Sequence, residues 1–211
     1  MTEYEIDARW LRLWTSLGAS HPRALTDWRD LVARYAVPER VYHSFEHVLD
    51  CQRVFDSCRP MAADPLVLEA AIWYHDVVYD PRSSDNEQAS ANMAHAVLLR
   101  AGMPLVRVEE VERLILATRH ATIPEKGDAA LLVDIDLAIL GSPDETFDRY
   151  EEGVRAEYAW VPEALFRGKR AELLEGFLAR PTLFTTEVFR ERLETQARAN
   201  LARSIARLRR E

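Results

Sequence analysis

Glycine is scarce in this chain, with 7 in 211 residues, and its valines and isoleucines seldom alternate with polar neighbours. Without that period-two alternation a fold built on half-buried strands has little to form it. Basic charge is short as well: 27 Lys plus Arg stand against 35 Asp plus Glu, a net charge of -8. That balance excludes broad binding to nucleic acid or to an anionic membrane, although a local basic patch remains possible. Only two cysteines occur, Cys51 and Cys58. Seven residues apart on what reads as one helix, their α-carbons would lie about 10 Å from each other, too far for a disulfide. They read as small buried side chains rather than ligands or nucleophiles, and their use fits a reducing compartment. No stretch approaches the roughly 18 apolar residues of a membrane span. The opening Met1-Thr2-Glu3-Tyr4-Glu5 lacks the basic start and apolar run of a leader, so the expectation is a cytoplasmic protein. Repeats, low-complexity tracts, glycine-rich phosphate loops and a serine nucleophile elbow are absent too.

What is present is helix pattern. Apolar residues make up 48% of the chain and recur three and four apart in nearly every long segment, which predicts an all-α helical bundle. The length suits one domain over residues 1–211, with a core around 40–140 and the helices of 143–211 packed on it. A first helix is expected over Asp7–Leu17 with Trp10 and Trp14 inward, and a second over Pro22–Tyr35 closed by Val37-Pro38. Ser44 reads as the N-cap of a third helix running to Cys58. Asp64-Pro65 opens a fourth, which ends at His75-Asp76. Asp85 caps a fifth, whose apolar face carries His95 as a core histidine. Further helices are expected over Pro104–Thr118 and Asp128–Leu140. Gly141 then stops the chain, Ser142-Pro143 caps the next helix with Tyr150, Val154, Tyr158 and Trp160 inward, and Phe166–Leu178 and Thr186–Leu208 complete the set.

Inside the apolar run Ala71–Tyr79 stand His75 and Asp76, where an unpaired charge costs several kcal/mol. His47 lies upstream in Tyr42-His43-Ser44-Phe45-Glu46-His47, and Asp134 and Asp136 lie downstream. One His, a His-Asp pair and a later Asp supply two nitrogens and two anionic oxygens. That set suits a divalent ion such as Mn, Fe, Co, Ni or Zn and leaves positions for water or substrate. Asp134 and Asp136 face away from each other on a helix, so one can be a ligand while the other orients a ligand histidine. The polar loop Asp80–Glu87 follows the proposed ligands at once. In it Arg82 could clamp a phosphate, and Glu87 and Ser90 could hold water or a phosphate oxygen. His120, at a helix end, can reach a central cavity.

The series His47, His75-Asp76, Asp136 resembles the signature of the HD-domain superfamily of metal-dependent phosphohydrolases. The Tyr-His-x-x-x-His start is similar to the first metal-binding segment of the cyclic nucleotide phosphodiesterases, where the second His binds metal and the first works on the leaving group. Their last ligand segment, Ala-Asp-Leu, resembles Ile135-Asp136-Leu137 and favours Asp136 over Asp134. A wider likeness, to a small bacterial group of predicted metal-dependent HD phosphohydrolases, extends through Asp85-Asn86-Glu87-x-x-Ser90, Val154-Arg155-x-Glu157-Tyr158 and Ala197-Arg198-x-Asn200. Several HD groups carry a His where this chain has Asn86, which argues against a second ion.

The resemblance implies hydrolysis of a phosphate ester or anhydride, nucleotides among the candidate substrates, by a divalent metal (Mn, Fe, Co, Ni, Zn or Mg) held by His47, His75, Asp76 and Asp136, with the number of ions left open. In that expectation Asp76 also aligns water, His43 or His120 protonates the leaving oxygen, and Glu87 holds a water. The expected partner is a small phosphorylated molecule, with no nucleic acid and no membrane. Two other readings stay open: a di-iron oxygenase, and a catalytically idle sensor of a nucleotide or a partner. Oligomeric state is not legible.

Overall fold

A computed structural model describes residues 7–120, 124 and 126–210. The opening Met1–Glu5, read above for the lack of a leader, lies outside them. The described residues form ten α-helices and two 3-10 turns, with no strand. In order these are α1 (Ala8–Ser16), α2 (His21–Tyr35), α3 (Phe45–Cys58), a 3-10 turn (Arg59–Met61), α4 (Pro65–Tyr74), α5 (Asn86–Ala101) and α6 (Leu105–Ala117). There follow α7 (Asp128–Asp136), a second 3-10 turn (Leu137–Gly141), α8 (Asp144–Glu157), α9 (Glu163–Leu178) and α10 (Glu187–Leu208). None of the described helices is long and apolar enough to cross a membrane.

Two helices form the axis of the fold. Every residue of α4 from Val67 to Tyr74 is buried, and so is every residue of α7 from Asp128 to Ile135. Apolar but for Glu69 in the first and Asp128, Asp134 and Asp136 in the second, both show the pattern of a helix surrounded by others. Helices α3, α5, α6 and α7 all pack on α4, and α1 and α2 close over its outer side. The expected tryptophans join that closure. Trp10 and Trp14 stack on each other, and Trp28 and Trp73 meet Trp10 at steep angles, so four indoles share one apolar cluster. Their polar edges are satisfied where α1 meets α2: Trp10 Nε1 donates to Ala24 O and Trp14 Nε1 to Asp27.

Carboxylates pin the helix starts that fix the axis. Asp64 caps α4 by accepting from the Leu66 and Val67 amides, and Asp128 accepts from the Ala63 and Asp64 amides, which ties the start of α7 to the start of α4. α10 lies across the turn Leu137–Gly141 and along α9. Its approach is close: a Cβ on Gly141 would sit 2.5 Å from Leu193 Cβ.

Some local expectations shift. Ser44 occupies the N-cap of α3 but its hydroxyl makes no cap bond. α8 starts one residue later than Ser142 would set it, with Pro143 at the cap, and α9 starts at Glu163 because Pro162 already turns the chain. Trp160 is half exposed rather than inward. His95 is no core histidine: its Nδ1 lies 3.1 Å from Glu112 and links α5 to α6 at the surface.

Gly141→Ala is therefore expected to destabilise the fold by about 1–3 kcal/mol, the usual cost of overpacking. A lowered urea midpoint with an unchanged slope checks this, and an unchanged midpoint would mean that α10 yields at no cost.

Candidate metal centre

Four helix ends meet at one place. His47 stands in the first turn of α3, His75 and Asp76 follow the last residue of α4, Asp136 is the last residue of α7, and His120 lies just past α6. The carbonyl ends of α4, α6 and α7 carry partial negative charge, so the backbone itself favours a cation there. The end of α4 is held by the last residue of α2 and by the segment that follows it. Arg40 donates to the carbonyls of Asp76 and Val77, and Tyr35 donates its hydroxyl to Trp73 O. The Arg40 guanidinium also lies over the Tyr35 and Tyr79 rings. These bonds satisfy carbonyls that the helix leaves unpaired and fix the turn carrying His75 and Asp76.

The donor atoms converge. His47 Nε2 and His75 Nε2 are 3.1 Å apart, and Asp136 Oδ1 lies 3.3 Å from the first and 3.6 Å from the second. Asp76 Oδ2 lies 3.8 Å from His47 Nε2 and 3.4 Å from His75 Nε2. Ligands bonded at about 2.1 Å to one ion stand roughly 3.0–3.4 Å apart for octahedral or tetrahedral geometry. The observed spacings bracket that range. A buried cluster of His47, Cys51, His75 and Asp136, with donor atoms within 4.8 Å of one another, could thus hold a metal ion. Asp76 borders it. The imidazoles are 4% and 2% exposed while Asp76 and Asp136 are each 16% exposed, so the carboxylates mark the solvent side.

Proton positions agree with this. His75 Nδ1 donates to Ile72 O at 2.9 Å, which leaves Nε2 as the nitrogen facing the cluster. Burial works against a charge on His75, but Asp76 and Asp136 outweigh it and push its pKa up to about 9. Asp136 moves the other way: burial would raise it, yet hydrogen bonds from His120, His47 and His75 hold it well below the usual carboxylate range. Two carboxylates in a half-closed site thus demand positive charge, and either a protonated His75 or a cation supplies it. Since a cation displaces that proton, metal affinity should rise with pH.

A second ring of groups surrounds the donors. His120 Nε2 bonds Asp136 Oδ2 at 3.1 Å, turning the other oxygen toward the imidazoles. The backbone of His120 is left-handed (φ 53), which a non-glycine residue adopts only under constraint. His43 stacks on Tyr79, and its Nδ1 is 2.7 Å from Glu157 Oε2. Glu157 lies at the end of α8 and also accepts from the Tyr42 and His43 amides and from the Tyr79 hydroxyl. Burial opposes the charge on both partners, and their mutual hydrogen bond overrides it, raising His43 and lowering Glu157.

Other residues expected at the site have different partners. Ser90 is fully buried, and its hydroxyl accepts from Val78 N and donates to Val78 O, so it fastens the chain after Asp76 instead of holding a phosphate oxygen. Glu87 pairs with Arg119 at 3.7 Å, and the Arg82 guanidinium lies over the exposed Trp160 ring. Asn86 clasps the backbone of Asp80. Asp134 points away from the cluster and accepts from the Thr185 and Thr186 amides and the Thr186 hydroxyl, anchoring the entry to α10. Arg155 and Arg198 hold backbone carbonyls at helix ends. Sequence reasoning missed two members, Cys51 and Arg40, and named Glu157 only within the wider likeness, without a role at the site. Cys51 brings its sulfur within 3.8 Å of His47 Nε2, and its place one turn after His47 was the available signal. Arg40 and Glu157 act on residues far away in the sequence, and no local pattern announces those partners.

Compared with family models, curated proteins and solved structures, the chain finds no match.

The His43–Glu157 pair gives a pH prediction. The raised His43 contributes stability in full below its ordinary value of 6.5 and loses it as pH rises through the folded value. The lowered Glu157 contributes in full above its ordinary 4.5 and loses it as pH falls through the folded value. In the metal-free protein the cost of Glu157→Gln is therefore greatest between about pH 4.5 and 6.5 and shrinks above. Urea unfolding across pH measures it, and a flat cost would show that the pair carries no charge.

Proposed function

We propose that this protein is a metal-dependent phosphohydrolase of the HD-superfamily kind, acting on a small phosphate ester or anhydride. The observation that carries the reading is the mutual spacing of His47 Nε2, His75 Nε2, Asp76 Oδ2 and Asp136 Oδ1, since these are the residues of the resemblance. Those four side chains would hold the ion. When bound, a divalent ion acidifies water and neutralises charge on phosphoryl oxygens.

The rest of the chemistry falls to the protein. His43 is the proton donor in this reading: Glu157 occupies Nδ1 and sustains the protonated ring, leaving Nε2 to serve a leaving oxygen. Tyr79 keeps the ring plane fixed by stacking. His120 holds Asp136 in its ligating orientation. Asp76, the more open of the paired ligands from α4, can align the attacking water by hydrogen bonding. Glu87, Ser90 and Arg82 have no part in this scheme, since each is engaged elsewhere.

Elemental analysis should find a divalent metal, and phosphate should be released from nucleotides or sugar phosphates with Mn, Co, Ni, Zn or Mg. His75→Ala should lose both metal and turnover. His43→Ala should keep the metal and lose turnover by about 10²–10⁴-fold. A loaded protein that turns over no phosphorylated compound with any ion would overturn the proposal.

A further inference from the structure

On the far side of the α4 end lies a cavity of about 290 Å³, between α2, α4 and α5. That is near the lower end of the roughly 300–1,000 Å³ spanned by small-molecule sites. Its apolar wall is Leu31, Val77, Met93 and Val97, and its polar groups are Tyr74, Asp27, Asp30, Arg34 and Arg100.

The polar groups sort by depth. Tyr74 is 2% exposed and Asp27 6%, whereas Asp30, Arg34 and Arg100 are exposed at the mouth. The Tyr74 hydroxyl has no hydrogen-bond partner among the described residues, although most buried phenols find one. Asp27 Oδ2 already accepts from Trp14 Nε1 and Arg23 Nε, and its Oδ1 has no protein donor among the described residues. The deep end therefore offers a carboxylate oxygen and a phenol that no described protein group engages, a setting that attracts a cationic donor. Neither Arg34 nor Arg100 has an ion-pair partner among the described residues, and they offer forked donors to an anion at the mouth.

We propose that this cavity binds a small zwitterion of the free α-amino acid class, its ammonium at Asp27 and Tyr74, its carboxylate at Arg34 and Arg100, and its apolar side chain on Leu31, Val77, Met93 and Val97. A phosphate dianion would meet Asp27 and Asp30 as like charges, and an apolar ligand would leave four charged groups unused. The site is separate from the metal centre. Tyr74 and Val77 line this cavity, whereas His75 and Asp76 between them turn to the other side.

Titration calorimetry of the metal-free full chain with L-leucine and L-phenylalanine tests it. At least one should bind, while N-acetyl-L-leucine, lacking the ammonium, and isoamylamine, lacking the carboxylate, should bind at least about tenfold more weakly. Ala96→Trp, at an exposed cavity-lining position on α5, should abolish binding without lowering the unfolding temperature. Arg34→Ala with Arg100→Ala should weaken the amino acid and leave isoamylamine unchanged. No binding by either amino acid, equal binding of a truncated analogue, or full binding to Ala96→Trp would overturn the proposal.

Discussion

Two carboxylates and two imidazoles gathered at helix ends cannot stand without a positive charge among them, and the surrounding architecture serves that constraint. Asp76 and Asp136 lie where water reaches only one side, next to backbone carbonyl ends of the same sign. In low dielectric such a grouping would repel itself apart. His75 answers by holding a proton into the alkaline range, which Asp76 and Asp136 favour. The same arrangement presents converging lone pairs once the proton leaves. A site of this kind is poised for a cation because its alternative is a strained proton inventory.

Keeping four helix ends in register is the work of groups outside the cluster. α4 and α7 are buried along almost their whole length, so their ends are placed by packing and not by propensity. Arg40 then locks the turn after α4, Asp134 locks the chain entering α10, and Glu157 brings the end of α8 to His43. Through Glu157 the C-terminal helices take part in the site and do more than cover it. Each of these contacts joins residues far apart in sequence.

The helices were legible from the chain because apolar periodicity, proline and capping residues act locally. Asp64-Pro65 and Gly141 set boundaries where physics requires them, at a capped start and at a position with no room for a Cβ. The donors His47, His75, Asp76 and Asp136 were visible as chemistry without an obvious structural purpose, and the structure brings them together. What escaped the sequence is partnership across distance. Ser90 looks like a phosphate contact until its hydroxyl is found closing on Val78, and Glu157 looks like one acid among many until its four donors are counted. Cys51 was set aside as core because a thiol in a helix usually is, and only the coordinates put its sulfur beside an imidazole.

The central claim is that the imidazoles of α3 and α4 and the acids beside them bind one ion together. X-ray absorption of protein loaded with one equivalent of zinc tests it most directly. The account predicts imidazole scattering from two histidines with nitrogen and oxygen neighbours at about 2.0–2.2 Å, and any Cys51 contact would add sulfur near 2.3 Å. A shell of oxygen alone, with no imidazole signature and no change on His47→Ala, would contradict it.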